Sequence, residues 1–127
     1  MIFYRIYCNN SSQNDVIVFI RAFEKFIGQQ NKFISFELLN SHNTELNDNT
    51  LGELSFVVIF LMNNTELAKI ERNAFNAAKS KITMLSIIDC PKLSNSKESR
   101  IFEIKSDFVN LEFLELVNTN ITSIKAE

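Results

Sequence analysis

Leu111-Glu-Phe-Leu-Glu-Leu-Val-Asn-Thr-Asn-Ile-Thr-Ser-Ile124 is the stretch whose spacing decides the architecture. Counted from Leu111, apolar residues fall at positions 1, 4, 6 and 11, and a small hydrogen-bonding residue, Thr119, falls at position 9. Successive side chains of a strand point to opposite faces, so Leu114 and Leu116 turn toward a core while Glu112, Phe113 and Glu115 are left to solvent or a partner. Where the chain leaves the strand, a position 9 side chain that both gives and accepts hydrogen bonds can satisfy backbone groups that an apolar one would orphan.

The pattern recurs upstream. Ile82, Leu85, Ile87 and Cys90 fill positions 1, 4, 6 and 9 of one unit, and Phe56, Ile59, Leu61 and Asn64 fill them in the unit before. Both then carry a leucine, Leu93 or Leu67, at position 12. A looser copy has Phe33, Phe36, Leu38 and Ser41. The steps between first residues are 23, 26 and 29, within the roughly 20 to 29 residues of a leucine-rich repeat. A second signal keeps phase with the first: Leu46 to Leu51, Ile70 to Phe75 and Ile104 to Phe108 each set an aliphatic residue four or five before a large apolar one.

The segments Asn63-Asn-Thr-Glu-Leu-Ala-Lys-Ile-Glu-Arg-Asn-Ala-Phe75 and Leu85-Ser-Ile-Ile-Asp-Cys-Pro-Lys-Leu93 resemble leucine-rich repeat proteins, particularly the extracellular type common in animals. The resemblance covers about residues 33 to 124. It implies an α/β fold, a short solenoid with a parallel sheet on its concave side and loops with short helices on its convex side. It also implies a recognition surface rather than a catalytic centre. The uneven steps and the varied position 9 residues depart from the family pattern, and no cysteine-rich cap flanks the array.

Composition agrees with a single binding domain. At 127 residues and 46% hydrophobic content there is material for one core, and the net charge of −2 with scattered basic residues argues against a nucleic-acid groove. Two glycines and one proline leave no flexible linker or phosphate-cradling loop. The longest nearly unbroken apolar run, Leu54 to Met62, is far short of the roughly 20 residues of a membrane span. Residues 1–8 lack the apolar centre of a signal peptide.

Residues 2–8 alternate like a strand, and Val16 to Ile27 place apolar residues at near-helical spacing, with Ser11, Ser12 and Asp15 available as caps. This reads as a divergent first repeat or amino-terminal cap over residues 1–32, followed by repeats over 33–127. At the other end Ile124-Lys-Ala-Glu127 stops where the second signal calls for a large apolar residue. An uncapped solenoid end implies further sequence or self-association through the exposed edge.

In this register position 3 presents Ser35, Val58, Met84 and Phe113 on the concave side, and position 5 presents Glu37, Phe60, Ser86 and Glu115. Position 7 presents Leu39, Met62, Ile88 and Val117, an apolar column that either meets a protein partner or tucks against the neighbouring turn as core. Asn40, Asn63, Asp89 and Asn118 at position 8 form its rim. Phe60, Val58, Met84, Phe113 and the position 7 column are the expected partner-binding residues, with no catalytic residue, cofactor or metal.

Other residue types point to chemistry less well. Cys8 and Cys90 sit three strands apart in this register, roughly 14 Å, beyond the bridging limit of about 7 Å, so two separate buried thiols are expected. The same separation, roughly 14 Å, sets Glu37 and Glu115 too far apart for glycoside chemistry, which needs about 5 to 9.5 Å. His42 stands in a polar turn with no nucleophile tied to it by spacing. Sequons at Asn9, Asn10, Asn63 and Asn120 fit an extracellular or secreted protein, and a glycan on Asn63 would crowd the concave surface. One enzyme reading competes: Phe56 to Met62 with Asn63, Asn64 and Glu71 resembles the strand, loop and helix of TIR-type NAD-cleaving domains, with Glu71 as the active carboxylate.

Overall fold

The alternation of apolar residues places the strands, and the distance between copies of the pattern places the turns. A computed structural model describes residues 3–27, 33–52, 54, 56–71, 73–75, 78–94 and 108–121. In chain order the elements are β1 (Phe3–Asn9), α1 (Gln13–Ile27), β2 (Phe33–Leu39), β3 (Glu45–Leu46), β4 (Val58–Met62), β5 (Lys69–Ile70), β6 (Met84–Ser94) and β7 (Phe113–Asn120). The long strands form a five-stranded parallel sheet in the order β1-β2-β4-β6-β7, so each is laid beside its predecessor without reversal. β3 and β5 pair in a second, parallel two-stranded sheet.

The register is the one the spacing predicts. Phe36, Ile59, Leu85 and Leu114 stand in one row, and Leu38, Leu61, Ile87 and Leu116 in another, with Ile6 and Cys8 extending the rows onto β1. Phe36, Ile59, Leu61, Leu85 and Ile87 have no exposed surface, and full burial of such a side chain stabilises by about 1.5–3 kcal/mol. Phe56 at position 1 meets Phe36 edge to face, with ring centroids 5.6 Å apart. Leu111, Leu114, Leu116 and Ile121 pack only partly against this core, because β7 is an edge strand.

A left-handed residue recurs at position 8, just past the ends of β1, β2 and β4 and within β6 and β7. Asn10, Asn40, Asn63, Asp89 and Asn118 have φ of 54°, 55°, 54°, 55° and 53°, a conformation that short polar side chains tolerate better than others. Their amides form a rim: Asn40 Nδ2 donates to Asn9 Oδ1 at 2.9 Å, Asn63 Nδ2 to Asn40 Oδ1 at 2.7 Å, and Asn118 Nδ2 to Asp89 Oδ1 at 3.1 Å. Asp89 has no side-chain N–H to pass on. One residue later the side chains turn inward. Asn64, fully buried, accepts at Oδ1 from the Ser41 N–H (3.1 Å) and the Ser41 hydroxyl, and its Nδ2 donates to the Leu38 carbonyl at 3.0 Å and toward Cys90 Sγ at 3.9 Å.

The second signal builds the opposite side of the core. Leu46 and Ile70 face each other in β3 and β5, and beyond them the Leu51 N–H donates to the Ala74 carbonyl at 3.2 Å. Leu51, Phe75 and Phe108 are buried, and the rings of Phe75 and Phe108 lie 6.3 Å apart; Ile104 lies outside the described residues. In the first unit α1 takes the place of this segment. Ser12 caps it, its hydroxyl accepting from the Asp15 N–H at 3.1 Å while Asp15 Oδ2 accepts from the Ser12 N–H at 3.4 Å, the reciprocal arrangement of a capping box. Val16 and Ile20 bury its inner face, and Gln13 Oε1 accepts from the Asn47 N–H at 2.6 Å. Gly52, at φ +59°, lets α1 approach: a Cβ there would lie 2.3 Å from Glu24 Oε1.

Two tests follow from the buried groups. Asn64→Ala leaves the buried Ser41 N–H and hydroxyl without their acceptor, at about 1–3 kcal/mol for each buried unsatisfied group. Urea denaturation should then show a loss of about 2–4 kcal/mol, and a loss below about 0.5 kcal/mol would contradict this assignment. Cys8 and Cys90 are free and buried, and burial pushes both thiols above the ordinary range. The unfolded thiols therefore ionise first as pH rises, so stability should be level below about pH 8 and fall above it. Replacing both cysteines with alanine should flatten that fall; an undiminished fall would refute it.

Candidate interaction face

Stacking consumes one face of the five-stranded sheet and leaves the other free. Position 3 aligns Arg5, Ser35, Val58, Met84 and Phe113 across the strands, and position 5 aligns Tyr7, Glu37, Phe60, Ser86 and Glu115. Position 7 aligns Asn9, Leu39, Met62, Ile88 and Val117. The predicted partner-binding residues thus come together on one surface. None of them is buried: Leu39, Val58, Phe60, Met62, Met84 and Ile88 are half-buried, and Phe113 and Val117 stay 49% and 46% exposed. In the position 7 column Leu39, Met62 and Ile88 are half-buried and Val117 is exposed.

Polar groups frame this apolar centre from both sides. On the β1 side the Arg5 guanidinium pairs with Glu37 and lies 4.7 Å from the centre of the Tyr7 ring. The alternation over residues 2–8 already hinted that Arg5 and Tyr7 share a face, but nothing local fixes the contacts with Glu37. On the β7 side the Ser86 hydroxyl donates to Glu115 Oε1 at 2.7 Å, which satisfies a serine with no exposed surface. Glu37 and Glu115 stand three strands apart, each with its own partner, and share no reaction centre.

The remaining candidates lie elsewhere. Cys8 and Cys90 are on β1 and β6, three strands apart, and are not bridged. His42 is exposed in the turn after Ser41, and no group of three or more His, Cys, Asp or Glu among the described residues is placed to hold a metal ion. Glu71 follows β5 on the far side of the core, where its N–H donates to the Leu46 carbonyl at 2.9 Å. The Asn47 amide nitrogen, in the orientation that satisfies both ends of that side chain, lies 3.2 Å from Glu71 Oε1 and 3.0 Å from Glu45 Oε1. The sequon residues Asn9, Asn10, Asn63 and Asn120 are all exposed at the rim where strands end. Among the described residues no helix is long and apolar enough to cross a membrane.

No family model, no curated protein and no solved structure matches this chain.

Proposed function

We propose that the chain is a short leucine-rich repeat solenoid, part of a longer extracellular recognition array, and that it binds a protein through the outer, concave face of its sheet without catalysis. The observation that carries this reading is the gathering of Val58, Phe60, Met62, Met84, Ile88 and Phe113 on the face turned away from the core, none of them fully covered. A contiguous apolar surface of this kind costs solubility unless something meets it. Aromatic and methionine side chains dominate the centres of interfaces. The strand order, the recurring register and the inward Asn64 and Cys90 support the solenoid, and the four exposed sequons support an extracellular setting.

The TIR-like reading gains nothing from the geometry. Open α/β sheets bind ligands where the strand order reverses, and this sheet has no reversal. The Glu71 N–H is bound to the Leu46 carbonyl, and its carboxylate lies beside the Asn47 amide.

The experiment is titration of a partner, captured by the immobilised chain from extracellular extract and purified, against Phe60→Ala, Phe113→Ala and the far-side control Lys69→Ala. The first two should each weaken binding by about tenfold or more, as expected for interface anchors, while the control stays near wild type. Unchanged affinity in both phenylalanine variants would refute the face. Release of nicotinamide from NAD by wild type but not by Glu71→Gln would refute the non-enzymatic reading.

A further inference from the structure

Tyr7 apart, the large apolar side chains left exposed among the described residues fall into two groups. Phe113 and Val117, with Val109 just before them, belong to β7 and its entrance; Val18, Phe19 and Phe26, exposed by 65%, 56% and 75%, all belong to α1. The helix thus has two apolar faces. Val16 and Ile20 fill the one turned inward, whereas Val18, Phe19, Ala22 and Phe26 make an i, i+4, i+8 and i, i+3, i+7 stripe on the other. A helix apolar on both sides is normally covered on both, and that spacing is how a helix presents anchors to an apolar surface.

Size and charge say what covers it. From Val18 to Phe26 the stripe is about 12 Å long, and the apolar sheet face spans the three strand steps from β2 to β7, about 14 Å. Exposed Arg21, paired within its own helix to Glu24, and exposed Lys25 border the stripe. Glu112 and Glu115 border the β7 side of the face. Each copy therefore carries a basic-edged apolar helix and an acid-edged apolar sheet of matching length.

We propose that the outer sheet face of one copy receives α1 of a second copy, with Phe19 and Phe26 against the apolar columns and Arg21 and Lys25 toward Glu112 and Glu115. This rests on reading that face as a protein-binding surface and names its partner. Because the outer stripe of α1 and the free sheet face lie on opposite sides of the core, the contact is head-to-tail, and a pair of copies keeps one free face and one free helix.

Sedimentation velocity over about 1 to 100 µM, where interfaces of modest affinity dissociate, tests it. Wild type should pass from monomer to dimer and larger head-to-tail species, and Phe26→Glu, Phe19→Glu and Phe113→Glu should each weaken this by at least about tenfold, with unchanged circular dichroism. An equimolar mixture of Phe26→Glu and Phe113→Glu should recover association, because it joins an intact face to an intact helix. A wild type that stays monomeric would overturn the proposal, as would self-association indifferent to these changes or a mixture no better than either variant alone. So would monomeric wild type binding anionic vesicles through Phe26. If wild type stays monomeric while Phe60→Ala and Phe113→Ala still weaken a different captured protein, the face keeps its role and only its second-copy occupant falls.

Discussion

No strand of this sheet can hide its apolar side alone. Leu61 reaches zero exposure only because Leu38 and Ile87 flank it, and the same dependence passes from β1 to β7. Backbone hydrogen bonds run between strands, so lateral stacking settles burial and polar satisfaction together. The exits are governed by the same demand. A left-handed Asn ends β1, β2 and β4, a left-handed Asp or Asn bends β6 and β7 at the same position, and the next residue, most completely Asn64, returns its side chain to seal the backbone there.

That constraint accounts for the division of the surface. Because core burial takes positions 4 and 6, positions 3, 5 and 7 are free to vary, and here they vary toward apolar residues in the middle and paired charges at the flanks. Arg5–Glu37 is a surface ion pair and adds little stability, but it fills that side with fixed polar groups. α1 follows the same logic from the other direction: its inner face completes the first unit, and its outer face carries more apolar surface than solubility alone would choose.

Much of this was legible because the decisive information is periodic. Leu38, Leu61, Ile87 and Leu116 align by residue spacing alone, and one-residue errors would have turned every side chain to the wrong face. The separation of Cys8 from Cys90 followed from counting strands. Contacts that depend on how one turn meets another were not legible. The seating of Gln13 against Asn47, the approach of α1 to Gly52 and the pairing of Arg5 with Glu37 join residues about thirty or more apart in sequence through flexible polar side chains, which leave no periodic trace. Helical spacing located the inner face of α1 but could not say that Phe26 would remain outside.

The most direct measurement is the pattern of methyl–methyl nuclear Overhauser contacts among Leu38, Leu61, Ile87 and Leu116. Adjacent parallel strands are about 4.8 Å apart and alternate ones about twice that, so contacts should link Leu38 to Leu61, Leu61 to Ile87 and Ile87 to Leu116, with none from Leu38 to Ile87. A direct Leu38–Ile87 contact, placing β6 beside β2, would contradict the stacking order.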